Sequence, residues 1–101
     1  MVNVLASIRL KKGMRADFLE IFKALMPTVH AEEGCIDYFP AVDIDAELPV
    51  QALDEDTVTI IEKWQSLEAL QAHLATAHML HYRQQVQDLV EEVSLKVLQE
   101  A

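Results

Sequence analysis

Between Thr57 and Tyr82 a strand pattern runs straight into a helix pattern, and this junction constrains how the rest of the chain can fold. Thr57, Val58, Thr59, Ile60 and Ile61 are β-branched in succession. Such side chains are stiff and suit a pleated surface. Alternation places Val58, Ile60, Glu62 and Trp64 on one face and Thr57, Thr59, Ile61 and Lys63 on the other. Ser66 is a good helix N-cap. Leu67, Leu70, Leu74 and Ala77 then form the apolar stripe of a helix. The strand ends in the only Trp, and the helix after it carries His73 and His78. An aromatic plate and two titratable rings are thus expected near one turn.

The flanking segments have their own periods. Val2, Val4, Ala6, Ile8 and Leu10 alternate with Asn3, Leu5, Ser7 and Arg9, which predicts a strand, and Lys11-Lys12-Gly13 is the turn out of it. From Arg15 to about Ala31, Phe18, Ile21, Phe22, Leu25, Met26 and Val29 recur at helical spacing. Pro27 removes one hydrogen bond there and is expected to kink the last turns. Gly34 is the residue expected to end this helix. Cys35 to about Ile44 reads as a second strand, with Tyr38 and Phe39 on opposite faces. Pro40 cannot donate to a ladder, so the strand is expected to lie at an edge or to bulge. Asp43 to Asp56 reads as a loop holding six of the seventeen acidic residues. A loop this long in a small domain is expected to be a lid or a contact arm, with Leu48, Val50 and Leu53 as anchors. Met79 to Val90 continues the helical pattern, and Val93 to Leu98 is a final strand.

The order strand, helix, strand, strand, helix, strand predicts an α+β, ferredoxin-like βαββαβ domain with an antiparallel sheet. The 101 residues make one domain, 1–101. A chain this small buries its core only marginally. Strand three is apolar on both sides, so one face is expected under the helices and the other in a homodimer. The formal net charge of −9 argues against nucleic acid and anionic membrane surfaces. No apolar run is long enough to span a bilayer. The single Cys permits no intrachain disulfide, and a cytoplasmic protein is the expectation.

Several residues are candidates for chemistry. Trp64 is either a core ring joining sheet to helix or a plate on which a planar substrate stacks. His73 and His78 are candidates for a base or a hydrogen-bond donor, since imidazole titrates near neutral pH. They are five apart, about 140° around a straight helix, and metal pairs are usually three or four apart. No metal is therefore expected. Tyr82 shares a helix face with His78, and Tyr82 and Arg83 are placed at the far wall of a site. Glu62 shares the face of Trp64 and is expected to pair with Arg9 or Lys96 as a structural salt bridge.

These residues also carry a family likeness. Glu62-Lys63-Trp64, then Ser66-Leu67-Glu68-Ala69-Leu70, then His73-Leu74-Ala75-Thr76-Ala77-His78, resemble the pattern of the antibiotic biosynthesis monooxygenase family. The resemblance covers almost the whole chain. It implies a dimeric α/β barrel, two sheets closing with helices outside. It implies a monooxygenase that oxidises a quinol or related phenolic ring with dioxygen, using neither metal nor flavin. It also implies that Trp64 lines the pocket. Two positions depart from the family's better-known members. Ile60 stands where anthrone-oxidising members have Asn, and Leu5-Ala6-Ser7-Ile8 lacks the Asn of haem-degrading relatives. A haem-binding protein and a non-catalytic barrel holding a small hydrophobic ligand remain the alternatives.

Overall fold

A computed structural model describes all residues, 1–101. The elements are β1 (Val2–Leu10), α1 (Arg15–His30), β2 (Cys35–Val42), β3 (Thr57–Trp64), α2 (Leu67–Leu74), α3 (Ala77–Val86) and β4 (Val90–Leu98). The strands form one antiparallel sheet in the order β2-β3-β1-β4. This is the expected ferredoxin-like arrangement. No helix is long and apolar enough to cross a membrane.

Alternation decides the faces. Val4, Ala6, Ile8 and Leu10 of β1 and Val58, Ile60, Glu62 and Trp64 of β3 are all buried. Phe18, Phe22 and Val29 of α1 complete this core without any exposure. The other face is half-covered. Phe39, Ile61 and Leu5 pair in one register row across β2, β3 and β1 there, and Phe39 and Leu5 are 40% and 38% exposed. β4 lies at an edge beyond the helices, so Val93, Leu95 and Val97 stay exposed although they share the core face of β1.

Four expectations are refined. α1 runs through Pro27 to His30, and the Pro27 carbonyl still accepts from Ala31. β2 is indeed an edge strand, but its register shifts between Cys35 and Asp37 and not at Pro40. It also ends at Val42, while β4 begins at Val90.

The largest change concerns the second helix, which is two helices. Thr76 breaks it by serving both halves. Its hydroxyl donates to the His73 carbonyl at 2.8 Å and accepts from the Met79 amide at 3.4 Å. The first contact joins the Thr76 amide on the His73 carbonyl at the end of α2, and the second caps α3. Ser66 caps α2 as its residue type suggests, accepting from the Ala69 amide at 3.1 Å.

The segment between β2 and β3 is an exposed loop. Asp54 organises its end, accepting from the Asp56 amide and the Thr57 hydroxyl. Leu48, Val50 and Leu53 are exposed, Val50 almost completely.

Candidate active site

A cleft of about 330 Å³ opens between the sheet and α3. That volume is in the range that holds small organic ligands. Ala6, Ile8 and Ile60 form its floor, Met79 and Val86 one wall, and Val93 and Leu95 flank it along β4. The polar groups on this apolar lining are Glu62, His73, Arg83 and Gln87, with the phenols of Tyr38 and Tyr82.

His73 sits at the end of α2 and is 1% exposed. Its ring packs on Trp64, centroids 4.6 Å apart, and meets Tyr38 edge-on at 5.4 Å. Its Nδ1 lies 2.8 Å from Glu32 Oε2. Nε2 has no protein partner, yet no buried side-chain nitrogen or oxygen is left unpaired. That nitrogen is therefore not sealed inside the protein, and His73 is among the residues that line the cleft. A carboxylate at Nδ1 favours the tautomer with its proton there. Nε2 then carries the free lone pair of the ring. Burial holds the imidazole below its ordinary titration range, while the Glu32 carboxylate acts in the opposite direction.

Glu62 differs from its expected role. Arg9 pairs with Glu91 and Glu92 instead, at 3.7 and 2.8 Å. The register explains this. Glu62 stands opposite Val4, whereas Arg9 and Lys96 lie on the helix-free face in rows with Thr57 and Leu5. No cation forms a salt bridge with Glu62, and its hydrogen bond comes from the Trp64 indole, Nε1 to Oε1 at 3.0 Å. Burial raises its carboxyl above the usual range, opposed by the indole.

Trp64 is not the pocket-lining ring that the family likeness implied. It is fully buried and does not line the cleft. It stands behind His73 and Glu62, packing at a tilt against one and donating to the other. Tyr82 and Arg83 do line the cleft. Tyr82 packs edge-on against Phe18 and Phe22, and burial raises its phenol. Arg83 donates to the Leu74 carbonyl and so ties α3 to the end of α2.

His78 is absent from the cleft. It lies in an outer groove between α1 and α3 with His81. The break at Thr76 nevertheless turns it toward His73, and its Nε2 lies 2.8 Å from the same Glu32 oxygen. The straight-helix geometry that separated the two histidines is therefore corrected. Glu32 itself is legible in no local pattern. It follows α1, 41 and 46 positions before its partners.

The sequence matches the family described as antibiotic biosynthesis monooxygenase over residues 1–85. It is 40% identical over 101 residues to the "Probable quinol monooxygenase YgiN" of Escherichia coli, covering 98% of this chain and 97% of that protein. The chain belongs to the antibiotic biosynthesis monooxygenase family. Solved structures share the family fold. Rv0793 from Mycobacterium tuberculosis superposes with a TM-score of 0.81 at 26% identity, covering 99% of this chain and 94% of that one. A conserved protein from Methanosarcina mazei reaches 0.85 at 20% identity, covering 99% and 92%, which speaks for the fold alone.

Proposed function

We propose that this family member is a quinol monooxygenase working in the cleft, with no added cofactor. The observation that carries the reading is His73, which lines an apolar cleft while Glu32 holds its Nδ1. A planar phenol fits against Ile60, Met79 and Tyr82. His73 takes its proton, and the phenolate, stripped of water, becomes electron-rich enough to reduce dioxygen. One oxygen atom enters the ring and the other leaves as water. The substrate supplies all four electrons, so a quinol becomes a hydroxyquinone. Arg83 stands at the rim, where its charge favours the anion. Trp64 is a positioning residue that fixes the His73 ring and the Glu62 carboxylate. His78 supports the base through Glu32 and does not touch the substrate.

The working unit is a homodimer joined through the helix-free face, where Phe39, Ile61 and Leu5 form an apolar row. The exposed Leu48, Val50 and Leu53 suit an arm that reaches the partner.

Oxygen uptake with a panel of purified quinols tests the activity, with the hydroxylated product identified by mass. Uptake with incorporation of one labelled oxygen atom is expected. Consumption of no quinol in the panel, or the same rate in His73→Ala, removes this mechanism. A haem titration, read by visible absorption, separates the haem-binding alternative.

A further inference from the structure

Glu32, His73 and His78 come from three parts of the fold: the segment after α1, the last turn of α2 and the first turn of α3. One oxygen and two nitrogens, all potential ligand atoms, lie within 4.8 Å of one another. Both nitrogens stand 2.8 Å from Glu32 Oε2. We propose that this cluster is a binding site for a divalent transition metal of the zinc type.

Two imidazoles and a carboxylate form a donor set that zinc favours, and three protein ligands leave a fourth position for water. Metal–ligand distances of about 2.0–2.1 Å place neighbouring ligand atoms roughly 3.3 Å apart in a tetrahedron. The two contacts to Glu32 therefore widen by about half an ångström on binding. The cluster is built to allow this. His73 is fixed behind by Trp64, whereas the side chains of Glu32 and His78 keep 12% and 28% exposure and so can shift. The outer groove beside His78 supplies an entry path that does not pass through the cleft. An imidazole nitrogen must also be free of its proton to bind metal. At His73 that proton moves from Nδ1 to Nε2, and Nε2 is then a donor instead of a lone pair. Metal occupancy thus turns the base off. This consequence rests on the reading of His73 as the base, whereas the binding does not.

Cobalt(II), followed by its visible spectrum, and zinc(II), followed by calorimetry, are titrated into the full chain without substrate. The expected result is one metal per chain, with binding weakened about tenfold or more in both Glu32→Gln and His78→Ala. His81→Ala, one turn further along α3, binds as the wild type does. Circular dichroism establishes that each variant is folded. No cobalt spectrum and no zinc heat into the millimolar range overturns the site, as does unchanged affinity in folded His78→Ala. Zinc is also added to the quinol assay. Inhibition that disappears in His78→Ala supports the switch. Full activity with one zinc bound keeps the site and overturns the base role of His73.

Discussion

Glu32 holds His73 through a single oxygen 2.8 Å from Nδ1, although 41 positions separate them. This pairing favours the tautomer with its proton on Nδ1 and leaves the lone pair on Nε2. Glu32→Gln keeps an acceptor but removes the charge that stabilises a protonated imidazole. Oxygen uptake should fall, through kcat more than KM. His73→Ala should cost more, about a hundredfold to ten-thousandfold if it acts as general base. Equal rates in Glu32→Gln and wild type would show that the carboxylate does not tune the base.

Glu62 predicts a pH dependence of stability. Burial raises its carboxyl, so the folded protein keeps this proton to higher pH than the unfolded chain does. The stability it contributes is complete below the ordinary carboxylate range and is lost as pH rises through the folded value. Glu62→Gln removes the titration and retains a carbonyl oxygen for the Trp64 indole. The variant's advantage in urea midpoint should grow between about pH 4 and about pH 8. A constant difference across that range would mean that Glu62 does not titrate differently on folding.

Trp64→Phe keeps an aromatic ring against His73 but leaves Glu62 Oε1 without its donor. The expected loss is about 1–3 kcal/mol, the usual cost of an unsatisfied buried acceptor. Denaturant unfolding measures it. Because the indole is sealed from the cleft, KM for an active quinol should change less than kcat. A selective rise in KM would place the ring in contact with substrate after all.

Thr76→Ala tests the helix break. Loss of an N-cap of this type costs about 0.5–2 kcal/mol. The same change removes the hydroxyl from the His73 carbonyl, which keeps the backbone amide of residue 76, and loosens His78 from Glu32. Thermal unfolding should report the first effect, and the imidazole resonances of both histidines the second. If those resonances stay in place, the hydroxyl is not what orients the two rings.

Phe39→Asp addresses assembly. Phe39 is on an edge strand and 40% exposed, so a charge there spares the core. Sedimentation should show the wild type as a dimer and the variant shifted toward monomer. A variant that stays dimeric would move the interface elsewhere.

The local sequence determined the sheet and its faces. β-Branched alternation fixes which side chains of β1 and β3 share a side, and that needs no tertiary information. It also fixed Ser66 as a cap and put Tyr82 and Arg83 on the right element. Thr76 was legible in principle, since Thr is a good N-cap even within a helical pattern. Reading the stripe through it cost the relation between His73 and His78. Other relations depend on packing. Alternation says that Glu62 and Trp64 share a face, but only the strand register shows that Arg9 and Lys96 point the other way. Trp64 could have been a wall or a support, and the packing of His73 in front of it decided for support. Glu32 had no periodicity to mark it. It became part of the site because α1 and the two short helices bring their ends together, and contacts across 41 and 46 positions are set by how elements stack rather than by neighbouring residues.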